Sequence, residues 1–205
     1  MKIKIIFVSV FLFTLFSFAQ NSQKPSDKMQ SSRLKMFTEI DAPILVFTGG
    51  IATNIRISYK NYRLSAGFSH FNAPSKTFSG VPDGFKLRVD YILALNFDYF
   101  LLHNKTYDGL YIRFMYHNKR QFVQNKESGA SKLLYSQLAG FEVGYTWKIY
   151  YGLFIAPRIG ALYYMKSPQG DENKPVLIGD SYYDNKRHKV WDTYFIPTLS
   201  IGYSF

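Results

Sequence analysis

The stretch that decides the fold is Lys86-Leu-Arg-Val-Asp-Tyr-Ile-Leu-Ala-Leu-Asn-Phe-Asp-Tyr99, in which apolar and polar side chains alternate. A period of two predicts a β-strand with one apolar and one polar face. The apolar face carries Leu87, Val89, Tyr91, Leu93, Leu95, Phe97 and Tyr99, and the polar face carries Lys86, Arg88, Asp90, Ala94, Asn96 and Asp98. A sheet of such strands needs a different environment on each side.

The same alternation predicts eight strands, at residues 37–47, 51–59, 62–71, 87–99, 110–117, 135–147, 153–163 and 195–205. Connections after the second, fourth and sixth strands are short, and polar loops at 72–84, 118–131 and 166–191 follow the third, fifth and seventh. The sequence therefore predicts an all-β fold, an eight-stranded antiparallel up-and-down transmembrane β-barrel. Pro157 and Pro197 on apolar faces predict a bulge, or pairing that tolerates a missing hydrogen bond.

The N-terminus predicts export from the cytoplasm. Residues 1–19 have a basic start, an apolar run at 5–16 and small residues before a cleavage point after Ala19, which is typical of a signal peptide. The apolar run is shorter than the roughly 20 residues of a membrane-spanning helix. Residues 20–33 are expected to be a flexible polar lead-in, and residues 34–205 form the predicted outer-membrane barrel domain.

The amino-acid composition limits the kinds of site and partner that the chain can have. The absence of cysteine excludes disulfides, thiolate metal sites and a lipidated N-terminal cysteine. The four histidines show no metal-ligand spacing, and we expect no metal and no cofactor. The formal charge is +11. For an exported chain we expect anionic lipid or polysaccharide head groups as partners, and no nucleic acid.

Three features predict that the polar face lines the barrel interior. That face is rich in glycine and serine, which suit a narrow lumen. Strands carry mostly arginine whereas loops carry mostly lysine, and aromatic residues cluster at strand ends, as in membrane barrels. The predicted interior ion network comprises Glu39, Asp41, Arg56, Arg63, Arg88, Asp90, Asp98, Arg113, Glu142 and Arg158, with Glu142 and Arg158 as one pair. A soluble secreted ligand-binding barrel, with the apolar face inside, remains the alternative.

The segment Leu199-Ser-Ile-Gly-Tyr-Ser-Phe205 ends the chain on alternating aromatic residues. On this segment the chain resembles the small eight-stranded outer-membrane barrels of the OmpX-like and OmpA-barrel class, over residues 34–205, and residues 141–147 resemble penultimate-hairpin segments of uncharacterised barrel families. The resemblance implies location in a bacterial outer membrane. It also implies that Tyr203 and Phe205 form a signal for the barrel-assembly machinery. It implies little about activity, because this fold hosts adhesins, porin-like proteins and enzymes.

Two functional classes remain open. The favoured one is a non-enzymatic barrel that is structural or binds partners through its loops, with Tyr182, Tyr183 and Trp191 as candidate contacts in the longest loop. The other is a lipid A-modifying enzyme, an acyltransferase or deacylase, for which inward-facing Ser69 and His117 are the candidate residues. No local motif joins Ser69 and His117 to an acidic residue, so we predict that the protein is not an enzyme.

Overall fold

A computed structural model describes residues 34–73, 80–103, 108–169, 174–185 and 194–205. The predicted signal peptide, the predicted lead-in and Trp191 lie outside these residues. The elements are β1 (Lys35–Asp41), α1 (Ala42–Thr48), β2 (Ile51–Tyr59), β3 (Tyr62–Asn72), β4 (Phe85–His103), β5 (Gly109–Asn125), β6 (Ser131–Tyr150), β7 (Leu153–Lys166), β8 (Val176–Ile178), β9 (Ser181–Tyr183) and β10 (Tyr194–Ser204). Eight strands close an antiparallel barrel in the order β1-β10-β7-β6-β5-β4-β3-β2, which confirms the predicted strand number and pairing direction.

The first strand is shorter than predicted. β1 stops at Asp41, and α1 replaces the expected strand over residues 42–47. Pro43 lies in the first turn of α1, where its missing N–H costs no helical hydrogen bond, whereas in a central strand it would remove one from the ladder. Gly49 ends the helix in the left-handed conformation, with φ of 62°.

The central strands are longer than predicted. β4, β5 and β6 contain 19, 17 and 20 residues, although about 9–11 residues cross a membrane. The loop predicted at 118–131 is wrong, because β5 and β6 pair from Gly109↔Thr146 to Gln124↔Ser131 without a register shift. Three barrel strands therefore continue beyond the barrel as an extension, which we define as residues 85–91, 118–135 and the β8–β9 hairpin.

A β-bulge divides β4 into two parts of opposite polarity. Val89 pairs with Gln121 but Tyr91 pairs with Arg120, so Asp90 is the extra residue. Above the bulge Phe85, Leu87 and Val89 are buried, whereas below it Leu93, Leu95 and Phe97 are exposed. The prediction that all apolar residues of this strand share one face is therefore wrong above Asp90. A single inserted residue exchanges the two faces of a strand.

The predicted loop 166–191 contains the β8–β9 hairpin, whose Ile178 and Tyr183 pack on Phe85, Val123 and Leu134 of the extension. At Pro157 and Pro197 the β7–β10 pairing continues without a register shift, so the pairing tolerates both prolines. No helix in the described residues is long and apolar enough to cross a membrane.

The barrel interior is filled in layers. At the short-turn end lies an apolar layer of Phe37, Phe100, Tyr111, Phe154 and Ala156. The ion network follows, and above it lies a second apolar layer of Met115, Leu138, Leu162 and Tyr164. Glycines make room for the large rings: a Cβ on Gly144 would lie 2.5 Å from Cζ of Tyr111. Further along β4, β5 and β6 lies the core of the extension.

Candidate functional site

Four interior charges form one row across neighbouring strands. Arg63 pairs with Asp98, Asp98 with Arg113, and Arg113 with Glu142, from β3 to β6. The Nε atoms of Arg63 and Arg113 each lie 2.6 Å from an Asp98 carboxylate oxygen. Arg113 Nη1 is 3.5 Å from Glu142 Oε2. Cross-strand neighbours on one face thus alternate in sign, which places each charge next to an opposite one.

A second group of charges closes the ring on the other side of the lumen. Arg56 contacts Glu39, and Arg158 Nη1 lies 3.2 Å from the same Glu39 oxygen, Oε1. Arg158 also donates to Asp41 Oδ1 at 2.5 Å, and its Nε is 3.1 Å from Glu142 Oε2. The predicted pair of Glu142 and Arg158 is therefore present. It is diagonal in the ladder, since Gly144 is the residue directly opposite Arg158.

The network balances four guanidinium groups against four carboxylates. Arg56, Arg63 and Asp98 are 0% exposed. Unpaired, each buried ion would cost several kcal/mol of desolvation, so removal of one partner leaves an expensive charge behind. Aromatic rings also contact the network. The Cζ atom of Arg63 lies 4.8 Å from the ring centroid of Phe100 and 4.7 Å from that of Tyr111. The function of Tyr111 as an arginine partner was missed, because alternation alone says nothing about ring contacts.

Two members of the predicted network lie elsewhere. Arg88 points outward from the extension with 48% of its side chain exposed, and Asp90 binds it at 2.9 Å from Nε. Asp90 also contacts Arg120, 3.4 Å from its Nε, a residue that the sequence did not single out. The reason is the bulge at Asp90, which reverses the direction of Arg88 relative to Asn96 and Asp98.

The outside of the barrel is an exposed apolar band. Leu64 and Leu95 are each 60% exposed, although each adjoins a buried polar residue along its strand. Aromatic rings gather at the short-turn end, where Tyr62 lies 5.5 Å from Tyr99 between ring centroids. Tyr203 and Phe205, the predicted assembly signal, are exposed at this end, with ring centroids 5.2 Å apart. The Phe205 N–H donates to the Met36 carbonyl at 3.0 Å.

Two of the predicted contact residues, Tyr182 and Tyr183, lie on opposite faces of the β8–β9 hairpin. Tyr182 is 68% exposed and pairs with exposed Leu177 on the outer face of the hairpin. Tyr183 is wholly buried against Phe85, so it is a core residue and not a surface contact. Burial raises the pKa of Tyr183, and its hydroxyl accepts a hydrogen bond from Asn185 Nδ2 at 3.1 Å. Alternation in so short a segment gave no sign of which tyrosine points inward.

The candidate catalytic residues do not form a catalytic pair. Ser69 lies on β3 and His117 on β5, with β4 between them: Ser69 is opposite Ile92, and His117 is opposite Ala94. No hydrogen bond joins Ser69 to His117 in the described structure. In the same part of the chain, no three His, Asp or Glu residues are grouped so that they could hold a metal ion.

Comparison with known proteins gives structural similarity alone. No protein-family model matches the chain, and no curated protein matches it in sequence. A major outer membrane protein from Thermus thermophilus is similar at 15% identity and a TM-score of 0.42, over 84% of this chain and all of that protein. Neisserial surface protein A is similar at 11% identity and a TM-score of 0.38, over 83% of this chain and 92% of that one.

Proposed function

We propose that the chain spans a bacterial outer membrane as a non-enzymatic β-barrel with a closed interior, and that its extension is a binding surface. The observation that carries this proposal is the polarity of the barrel wall. Fully buried Arg63 and Asp98 alternate along their strands with Leu64 and Phe97, which are exposed. In water, such a wall would expose a broad apolar band and bury its charges. In lipid, the apolar band meets hydrocarbon, and the interior keeps the charges away from it.

The layered interior supports a structural barrel over a conducting one. An eight-stranded lumen is only wide enough to be filled by side chains. Here two apolar layers lie on either side of the ion network, and the core of the extension lies beyond them. Ions would have to displace these layers and separate the paired charges to pass.

The alternative of a lipid A-modifying enzyme has less support. General-base activation of a serine needs a base within hydrogen-bond reach, and Ser69 and His117 are on strands separated by β4. Exposed Tyr182 and Leu177 instead offer a small aromatic and apolar surface at the tip of the extension. We propose that this surface contacts an extracellular ligand, and that Tyr203 and Phe205 contact the barrel-assembly machinery.

The test combines location, folding and activity. The mature chain should fractionate with the outer membrane and migrate differently in electrophoresis before and after boiling. Reconstituted protein should give no steady conductance in planar bilayers. Lipid A mass spectra from cells with and without the protein should be the same. Recovery as a soluble periplasmic protein would contradict membrane location, stable conductance would contradict the closed interior, and a changed lipid A would support the enzyme alternative.

A further inference from the structure

Two outward-facing arginines occupy a defined place just above the apolar band. The outward row Leu93, Asn118 and Gln137 is the first that mixes apolar and polar residues, and the next row holds Tyr91, Arg120 and Tyr135. Arg88 and Phe122 follow in the row beyond. Two residues along a tilted strand rise roughly 5 Å along the barrel axis. Arg120 and Arg88 lie one and two rows beyond Leu93, the last exposed leucine of the apolar band on β4, and therefore about 5–10 Å above it, which reaches the depth of lipid head groups.

Both guanidinium groups are held in place by the same few residues. Arg88 stacks on the ring of Phe122 at 4.9 Å, and Arg120 stacks on Tyr91 at 4.7 Å. Asp90 contacts the Nε of each, at 2.9 and 3.4 Å. We define Arg88, Asp90, Tyr91, Arg120 and Phe122 as the arginine patch. The single carboxylate orients two cations and leaves a net charge of +1, with exposed Lys86 one row further out.

The outer edges of the guanidinium groups are free to bind. An arginine has five N–H donors, and the contacts to Asp90 are made through Nε. No Nη atom of Arg88 or Arg120 makes a hydrogen bond within the described structure. A guanidinium fork of this kind matches the oxygens of a phosphate group in two-point contacts. Stacking on rings keeps the forks oriented before a ligand arrives, which lowers the entropic cost of binding.

We propose that the arginine patch binds the phosphate group of an anionic lipid in the membrane leaflet at the base of the extension. The inference rests on the proposed membrane location, since it is the apolar band that places the patch at head-group depth. Exposed Tyr135 lies directly opposite Arg120 on the neighbouring strand, on the side of the patch nearer the apolar band. The ligand is a lipid and not free phosphate, because the patch adjoins the lipid-facing surface.

The experiment measures lipid retention by the full mature chain, folded in dodecyl maltoside, using native mass spectrometry. The probes are phosphatidic acid, which carries a phosphate monoester, and phosphatidylcholine, which is zwitterionic. The test variant is the double substitution Arg88→Gln with Arg120→Gln. The control is Lys60→Gln with Lys148→Gln, which removes the same charge from exposed positions at the short-turn end.

We expect the wild type to prefer phosphatidic acid, the arginine variant to bind it about tenfold more weakly, and the lysine variant to stay within about twofold. Inorganic phosphate should not displace the lipid. Equal affinity in wild type and arginine variant, an equal loss in the lysine variant, or displacement by phosphate would each overturn the proposal. The shift in electrophoretic mobility on boiling, measured in the same samples, separates this outcome from failure of the proposed function: a folded barrel without lipid preference contradicts the patch alone.

Discussion

The barrel wall and the extension are continuous parts of the same strands, yet their polarity is opposite. Along β5, buried Arg113 adjoins exposed Phe114 in the wall, whereas further on buried Val123 adjoins Gln124. The wall places charge inside and apolar side chains outside, and the extension does the reverse. Alternation therefore identifies two faces of a strand, but only the surrounding solvent decides which face is apolar.

The strands change polarity by two different means. β4 inserts Asp90 as a bulge, so that its apolar residues pass from the outer to the inner face. β5 keeps its register and changes residue types instead, with Tyr116 as the last apolar outward residue before Asn118. The bulge lies between the pairs made by Arg120 and Gln121, just beyond Asn118, so the two neighbouring strands change polarity close to each other in the sheet.

The largest expected effect comes from the centre of the ion network. Asp98→Asn leaves Arg63 and Arg113 buried without their main carboxylate partner. Breaking such a pair typically costs about 3–5 kcal/mol, and we expect a loss of this size in the free energy of unfolding. Urea unfolding in liposomes measures the loss.

The matched control is Asp90→Asn in the extension, where the partner Arg88 is half exposed. Exposed ion pairs contribute at most about 1 kcal/mol, so this variant should unfold nearly as the wild type does. Similar losses in both variants would show that the two regions do not differ in the way described.

Intermediate effects are expected on the outer surface. Leu95→Arg places a cation on the lipid-facing side of β4 and should cost about 2–4 kcal/mol in liposomes. Leu133→Arg makes the same change on the outer face of the extension, where water solvates the cation, and should change stability by less than about 0.5 kcal/mol. If Leu133→Arg is as costly as Leu95→Arg, then the extension lies inside the membrane.

Among the buried positions, the smallest effect on barrel stability is expected in the hairpin. Tyr183→Ala removes a buried ring from the core of the extension and should expose the 174–185 segment to protease, while barrel unfolding shifts by less than about 1 kcal/mol. Tyr182→Ala, one residue away and exposed, should leave protease resistance unchanged. Limited proteolysis in liposomes compares the two; equal resistance of both variants would remove Tyr183 from the core.

Much of the barrel could be predicted, because strict alternation over a long strand assigns each residue to one face, however the side chains pack. Strands β2, β3, β6 and β7 match the predicted faces, and so does the interior position of Arg56, Arg63, Asp98, Arg113, Glu142 and Arg158. Each of these charged residues occupies a position that alternates with the apolar residues of its strand, and this is visible in the sequence alone.

Two of the errors share one physical origin: the assignment of alternating residues to faces fails wherever the register or the solvent changes. The face of Arg88 was predicted wrongly because of the bulge at Asp90, since a one-residue insertion is not recognisable from the residue types around it. The polar residues 118–131 suggested a loop, because the outward-facing residues of this part of β5 and β6 are largely polar, as those of a loop are. The end of β1 at Asp41 was missed although Pro43 marked it.

Spin-label accessibility along β5 tests the boundary most directly, and the absence of native cysteine allows single labels. Labels replacing Ile112 and Phe114 should be accessible to oxygen and inaccessible to a water-soluble nickel reagent in liposomes. Labels replacing Asn118 and Gln124, on the same face, should show the reverse. If Phe114 and Gln124 are equally accessible to the nickel reagent, then water surrounds the whole strand, and the account of a lipid-facing wall below a water-exposed extension is wrong.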